Sequence, residues 1–181
     1  MAWVSPMTAV ANTPFTAAQF NTHVRDNLLE TAPAKATTAG RIMVTTGPNS
    51  IAERVIGLAT VITAHTTTST TWTDLGTIGP QVTLTTGTTA IVILTALMSN
   101  NTAGSNAQMS VAVSGASSIA ANTENALIAE SSQAGDLYQM SAAFPIEGLT
   151  AGTNTFTCKY QVGISGTGTF QRRRLIVLPF G

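Results

Sequence analysis

Charge is what this chain has least of. Only 9% of its 181 residues are Asp, Glu, Lys or Arg, against roughly 25% in an ordinary soluble domain. Eight basic and eight acidic side chains cancel. That excludes nucleic acid as a main partner, because phosphate recognition needs a basic field. A neutral, charge-poor monomer is also a poor solute, so much of the surface is expected to be buried against other subunits. The single cysteine, Cys158, excludes an intrachain disulfide and a thiolate metal cluster. His23 and His65 are the two histidines, and an isolated histidine with no second ligand does not make a metal site. Asp74, Glu124, Glu130, Asp136 and Glu147 are scattered, with no spacing that pairs carboxylates for acid–base work. The stretches 114–117 and 165–168 read as turns and match neither a nucleophile elbow nor a phosphate loop. No enzyme and no cofactor are expected. No apolar run approaches the roughly eighteen residues of a membrane span, and Met1, Ala2 and Trp3 lack the basic head and apolar core of a secretion signal. No membrane partner is expected.

What is present begins with residues 14–30, PFTAAQFNTHVRDNLLE. Thr16 suits an N-cap, and Gln19 three residues on completes a capping box. Phe15 and Phe20 occupy the two positions of a hydrophobic staple. Ala17, Phe20, Val24 and Leu28 recur at helical spacing and make one apolar stripe, opposite Gln19, Thr22, Arg25, Asp26 and Glu30. Pro33 is expected to end the helix. A helix of about fifteen residues is marginal alone, so its stripe must dock on something. Ahead of it, residues 1–13 have no period. Trp3 there either packs on its own helix or fills a pocket on a neighbouring protein.

The pattern of Trp3, Thr16, Ala17, Asn21, Arg25, Asp26, Asn27 and Leu28 resembles the N-termini of small virion proteins of tailed bacteriophages, especially phages of actinobacteria. Proteins of that kind are minor tail, fibre-like or head-decoration components. The resemblance covers about the first third of the chain. It implies an N-terminal attachment element, with the remainder displayed outward at the virion surface. Its interface residues would be Trp3, Phe15, Phe20, Val24, Arg25 and Leu28, and its partners other capsid, neck or tail proteins.

Residues 34–57 read as a β-hairpin connector, with a turn at Thr46, Gly47, Pro48 and Asn49. GRIMVTTGPNSIAERVIG is similar to hairpin units of phage fibre shafts, where three chains wrap one axis, which implies a homotrimer. From residue 58 the texture changes to short β segments between turn residues. Strands are expected at 58–64, 71–78, 81–85, 90–98, 107–113, 126–130, 137–147, 154–162 and 169–178. Strands at this spacing with no helix between them predict a head, 58–181, that is an antiparallel β-sandwich of jelly-roll type. The fold class is mainly β, with one N-terminal arm and a single amphipathic helix in residues 1–33. The apolar run AIVIL at 90–94 suits a strand buried on both faces. Trp72, Leu75, Phe144, Phe156, Tyr160, Phe170 and Ile176 are the candidate core.

Two features could bind a ligand. Arg172, Arg173 and Arg174 hold three of the eight basic residues, either as a solvated run or as a contact for an anionic host-surface polysaccharide. The polar loop at 99–106, SNNTAGSN, is flexible enough in composition to form a tip. Three functions follow: a structural virion protein with a trimeric β head, a receptor-binding fibre module, and a hydrolase with an intersubunit site. The first is the one this sequence favours.

Overall fold

The structure, a computed structural model, describes residues 3–181; Met1 and Ala2 of the arm lie outside the described residues. In chain order the strands are β1 (Ile42–Gly47), β2 (Ser50–Arg54), β3 (Gly57–Val61), β4 (His65–Thr67), β5 (Gln81–Thr86) and β6 (Ala90–Asn100). They continue with β7 (Asn106–Gly115), β8 (Leu127–Glu130), β9 (Tyr138–Ile146), β10 (Gly152–Val162) and β11 (Gly168–Pro179). β1 and β2 form a separate hairpin, closed at Asn49, whose φ of 54° is the left-handed conformation asparagine tolerates.

The other strands make two sheets. One has the order β5-β10-β7-β8 and the other β3-β11-β6-β9, with β4 also paired to β11. All pairs are antiparallel. From β5 onward the chain crosses between sheets at almost every connection, the jelly-roll habit. The period-2 rule places the core between them. In β5, Val82 and Leu84 are buried while Gln81, Thr83 and Thr85 are exposed. In β6, Ala90, Val92, Leu94, Ala96 and Met98 are fully buried and meet Phe156, Cys158 and Tyr160 of β10 in one core cluster. Gly57 marks the entry of the chain into the sandwich, where a Cβ would stand 2.2 Å from a Val82 methyl.

Four sequence expectations change here. Residues 71–78 are not a strand: Ser69 binds the backbone of Thr71 in a local turn, and Thr73 makes one isolated bridge to Tyr160. Hydroxyl side chains that bond nearby backbone compete with the ladder. The 90–94 run is not buried on both faces, because Ile91 and Ile93 point out of the sheet and are half-buried. Among the candidate core residues, Leu75, Phe156, Tyr160 and Phe170 are buried, Trp72 and Phe144 are half-buried, and Ile176 faces outward. Pro33 does not stop the first helix. It sits in the first turn of a second helix, Ala32–Lys35, where a missing N–H costs nothing.

Candidate attachment site

The helical segment starts as the capping box requires. The Gln19 amide donates to Thr16 Oγ1 at 3.2 Å, and the Thr16 amide donates to Gln19 Oε1 at 2.9 Å. Phe15 and Phe20 meet edge to face with centroids 6.2 Å apart, so the staple forms. Beyond α1 (Ala17–Phe20) the backbone widens into a π-helical segment, Asn21–Arg25, before α2 (Asp26–Leu28). α3 (Ala32–Lys35) follows after Thr31, whose hydroxyl takes the Leu28 carbonyl at 2.7 Å.

The arm runs back along this helix and is held by Asn27 and His23. The Val4 amide donates to Asn27 Oδ1, and Asn27 Nδ2 donates to the Val4 carbonyl, both at 2.9 Å. The side-chain amide thus pairs with the arm as a neighbouring strand would. Nδ2 also reaches the His23 carbonyl at 3.1 Å. His23 Nδ1 lies 3.1 Å from the Ser5 carbonyl, and since a carbonyl only accepts, Nδ1 carries the proton. Asn27 is the buried side chain of this helix. From sequence, Asn27 is one of the residues of the resemblance without a stated role, and His23 reads as a surface or interface group. Their signal was position: both sit one turn apart on the flank of the apolar stripe.

With the arm clamped there, the apolar stripe is not consumed. Phe20 is 48% exposed and Leu28 61%, and Trp3, Phe15 and Leu29 also stand open. Val24 is half-buried beneath the arm and lines a groove of about 470 Å³ with Met7, Val10, Pro14, Phe15 and His23. Trp3 borders two smaller clefts, one along the helix and one against Thr45 to Ile51 of the hairpin. Arg25 points to solvent and binds Asp26 at 2.7 Å, which raises its already high pKa through that hydrogen bond. Of the six expected interface residues, all therefore belong to one module, and Val24 is its least accessible member.

The module connects to the head through the hairpin. Glu53 of β2 accepts the amides of Thr37 and Thr38. The Thr38 amide, ahead of the Thr37 contacts, holds the Glu53 carboxyl below its usual value. Lys35 pairs with Glu30 at 2.8 Å, and that hydrogen bond lowers the Glu30 pKa. Gly181 packs on Thr45, and the Gly87 amide donates to Phe180. The hairpin thus sits at the end of the sandwich that holds the β5–β6 turn.

The arginine run does not form a three-residue patch. Between Gln171 and Arg174 the register of β11 on β6 shifts by one, so Arg172 and Arg173 together face Ala96 alone. Arg172 takes a φ of 50°. This bulge turns Arg173 inward, where it is 0% exposed. Its guanidinium donates to the carbonyls of Gly79 at 3.1 Å, Thr63 at 3.3 Å and Thr77 at 3.4 Å, and lies 5.3 Å from the Tyr160 ring centroid. Tyr160 O–H donates to the same Gly79 carbonyl at 2.7 Å. Burial pushes the pKa values of Tyr160 and Cys158 up, so the thiol is an inert core group. Arg172 and Arg174 remain exposed.

The 99–106 loop is pinned, contrary to its composition. Asn100 is fully buried; its Nδ2 donates to Ser105, Asn106 and Ser165, and its Oδ1 accepts the Thr102 amide. Among the described residues no three His, Cys, Asp or Glu side chains converge as metal ligands, and no helix is long and apolar enough to cross a membrane.

No protein-family model matches the chain, and no curated protein matches it in sequence. Among solved structures it is similar to the Eiger TNF from S. frugiperda, at 8% identity and a TM-score of 0.49, over 71% of this chain and 93% of that one. It is also similar to the VP2 subviral particle of infectious bursal disease virus, at 12% identity and a TM-score of 0.45, over 76% of this chain and 37% of that one. The chain therefore spans little more than a third of the VP2 chain. The fold assignment stands on the order of the strands themselves.

Proposed function

We propose that the protein is a structural component of a tailed-bacteriophage virion. The arm and helix of residues 1–33 hold it to other proteins of the particle, and the β-sandwich is displayed at the virion surface as a homotrimer. Its work is mechanical and not catalytic. The observation that carries this reading is the N-terminal module, which is ordered by its own cap and by Asn27 yet leaves Trp3, Phe15, Phe20 and Leu28 open. A helix fixed in shape with its apolar side chains uncovered is an element built to be buried against a partner. The N-terminal resemblance names that partner class, proteins of the particle. The test is to carry Phe20→Asp or Leu28→Asp into phage. Burying an unpaired carboxylate costs several kcal/mol, so copies per particle should fall roughly a hundredfold while the β head still folds. Normal copy number with both variants would refute the attachment role.

A second reading is recognition of an anionic host-surface polysaccharide. It rests on Arg172 and Arg174, the two arginines of the run that face solvent.

A further inference from the structure

The two sheets of the sandwich are dressed differently on their outer faces. On the four-stranded sheet, the outward residues of β5 and β10 include hydroxyls and amides that bond one another, Thr83 to Thr155 and Gln81 to Thr157, both at 2.8 Å, and Lys159, paired with Asp74. On the other sheet two cross-strand rows are apolar. Leu58, Ile176, Ile93 and Ala143 stand in one cross-strand row. Leu178, Ile91 and Pro145 form the next. Leu58 is 68% exposed. Of the charged side chains of this sheet, Arg174 stands in the adjoining row with Thr60, Thr95 and Ser141, and Arg172 lies at the bulge.

A second apolar strip runs along the free edge of the same sheet. β9 is bonded to β6 alone, and from Tyr138 to Ile146 it carries no charge. Its inward residues Tyr138, Met140 and Phe144 are only half-buried, because β8 opposite is four residues long. Natural edge strands are ordinarily guarded by charge; this one has Pro145 and nothing else.

We propose that the outer face of the β3-β11-β6-β9 sheet receives the β9 edge of a second copy of this chain. The inference deepens the trimeric reading above and rests on it. Each copy brings both surfaces, and one edge-on-face contact covers both, whereas face-to-face pairing would leave the edge bare. Unlike patches meeting head to tail close into a ring, which is what a three-fold assembly needs. The size is of the right order: strands of five, twelve, eleven and nine residues, about 4.8 Å apart and rising about 3.4 Å per residue, give a face of roughly 600 Å², against the ~800 Å² per partner of a standard interface.

The full-length chain is examined by light scattering and far-ultraviolet circular dichroism. Wild type should show the mass of three chains at micromolar concentration. Ile93→Glu should reduce it to one chain with an unchanged spectrum, and Thr83→Glu on the polar sheet should leave it trimeric. Should Ile93→Glu misfold, the pairs Ile93→Cys/Met140→Cys and Ile93→Cys/Phe144→Cys decide under mild oxidation. Within one chain these positions face opposite sides of the sheet, so bonds form only between copies, and Cys158 is buried out of reach. At least one pair should give a covalent trimer on a denaturing gel. A folded, still trimeric Ile93→Glu variant overturns this interface and leaves the trimer standing. So do covalent dimers from Ile93→Cys alone, or the absence of cross-links in both pairs. A monomeric wild type overturns the trimeric reading as well, while particle attachment, tested through Phe20, stands or falls separately.

Discussion

Three consecutive arginines in this chain have two different physical roles. Arg173 is a buried cation whose charge is spread over three backbone carbonyls and a tyrosine face. It ties the segment between β3 and β5 to β11. Arg173→Met should strand those carbonyls and cost roughly 2–4 kcal/mol, lowering the melting temperature by roughly 5–15 °C. Arg172→Ala/Arg174→Ala should stay within about 0.5 kcal/mol of wild type. The double variant is therefore the one that tests polysaccharide recognition, since a triple substitution would also destabilise the head. If the purified head binds host cell walls and the double variant does not, Arg172 and Arg174 are the contact; equal binding removes them from it. The bulge was legible in principle. Phe170 and Leu175 are both core, and five residues apart they share a face only if one residue is looped out. The charge run drew the eye to solvent instead.

At the level of elements, the carboxylate of Glu53 joins β2 to the stretch that precedes β1 by capping the amides of Thr37 and Thr38. Its pKa is lowered from 4.5 by folding. A lowered folded value means that the contribution is present above the ordinary carboxylate pKa and is lost as pH falls through the folded one. The amide resonances of Thr37 and Thr38 should therefore titrate below pH 4.5 in wild type, and that titration should vanish in Glu53→Gln. Elements whose signal is local were readable from sequence: the cap at Thr16 and the turn around Asn49. What the sequence hid depends on distant partners. The outward exposure of Ile91, Ile93 and Ile176 follows from β6 and β11 lying in an uncovered sheet, which no run of apolar letters reveals. The clamp at Asn27 needs an arm with no period of its own, and the pinning of Asn100 needs Ser165, far along the chain. The failed strand at 71–78 has the right composition but finds its hydrogen bonds in its own hydroxyls.

The whole molecule has a direction. The N-terminal module, the hairpin, the β5–β6 turn and Gly181 gather at one end of the sandwich. The β6–β7, β8–β9 and β10–β11 connections gather at the other, where Asn100, Ser105, Ser131 and Ser165 bond together. An eleven-residue strand such as β6 separates the two ends by about 36 Å. The two loops at the far end differ as places to graft foreign sequence. The 132–135 stretch is exposed, and its turn is closed by bonds between Gln133 and Asp136 and tied to the Asn100 carbonyl through the Gly135 amide. The 101–105 turn depends on the buried Asn100 side chain itself, whose Oδ1 accepts the Thr102 amide. A ten-residue Gly/Ser-rich epitope placed between Gln133 and Ala134 should lower stability by only about 1 kcal/mol. The same graft between Asn101 and Thr102 should cost several times more through the orphaned Asn100 amide, and matched thermal melts would reveal the difference. On a particle that bears many copies, the tolerant loop would hold each epitope one strand length above the surface, with a spacing set by the lattice beneath.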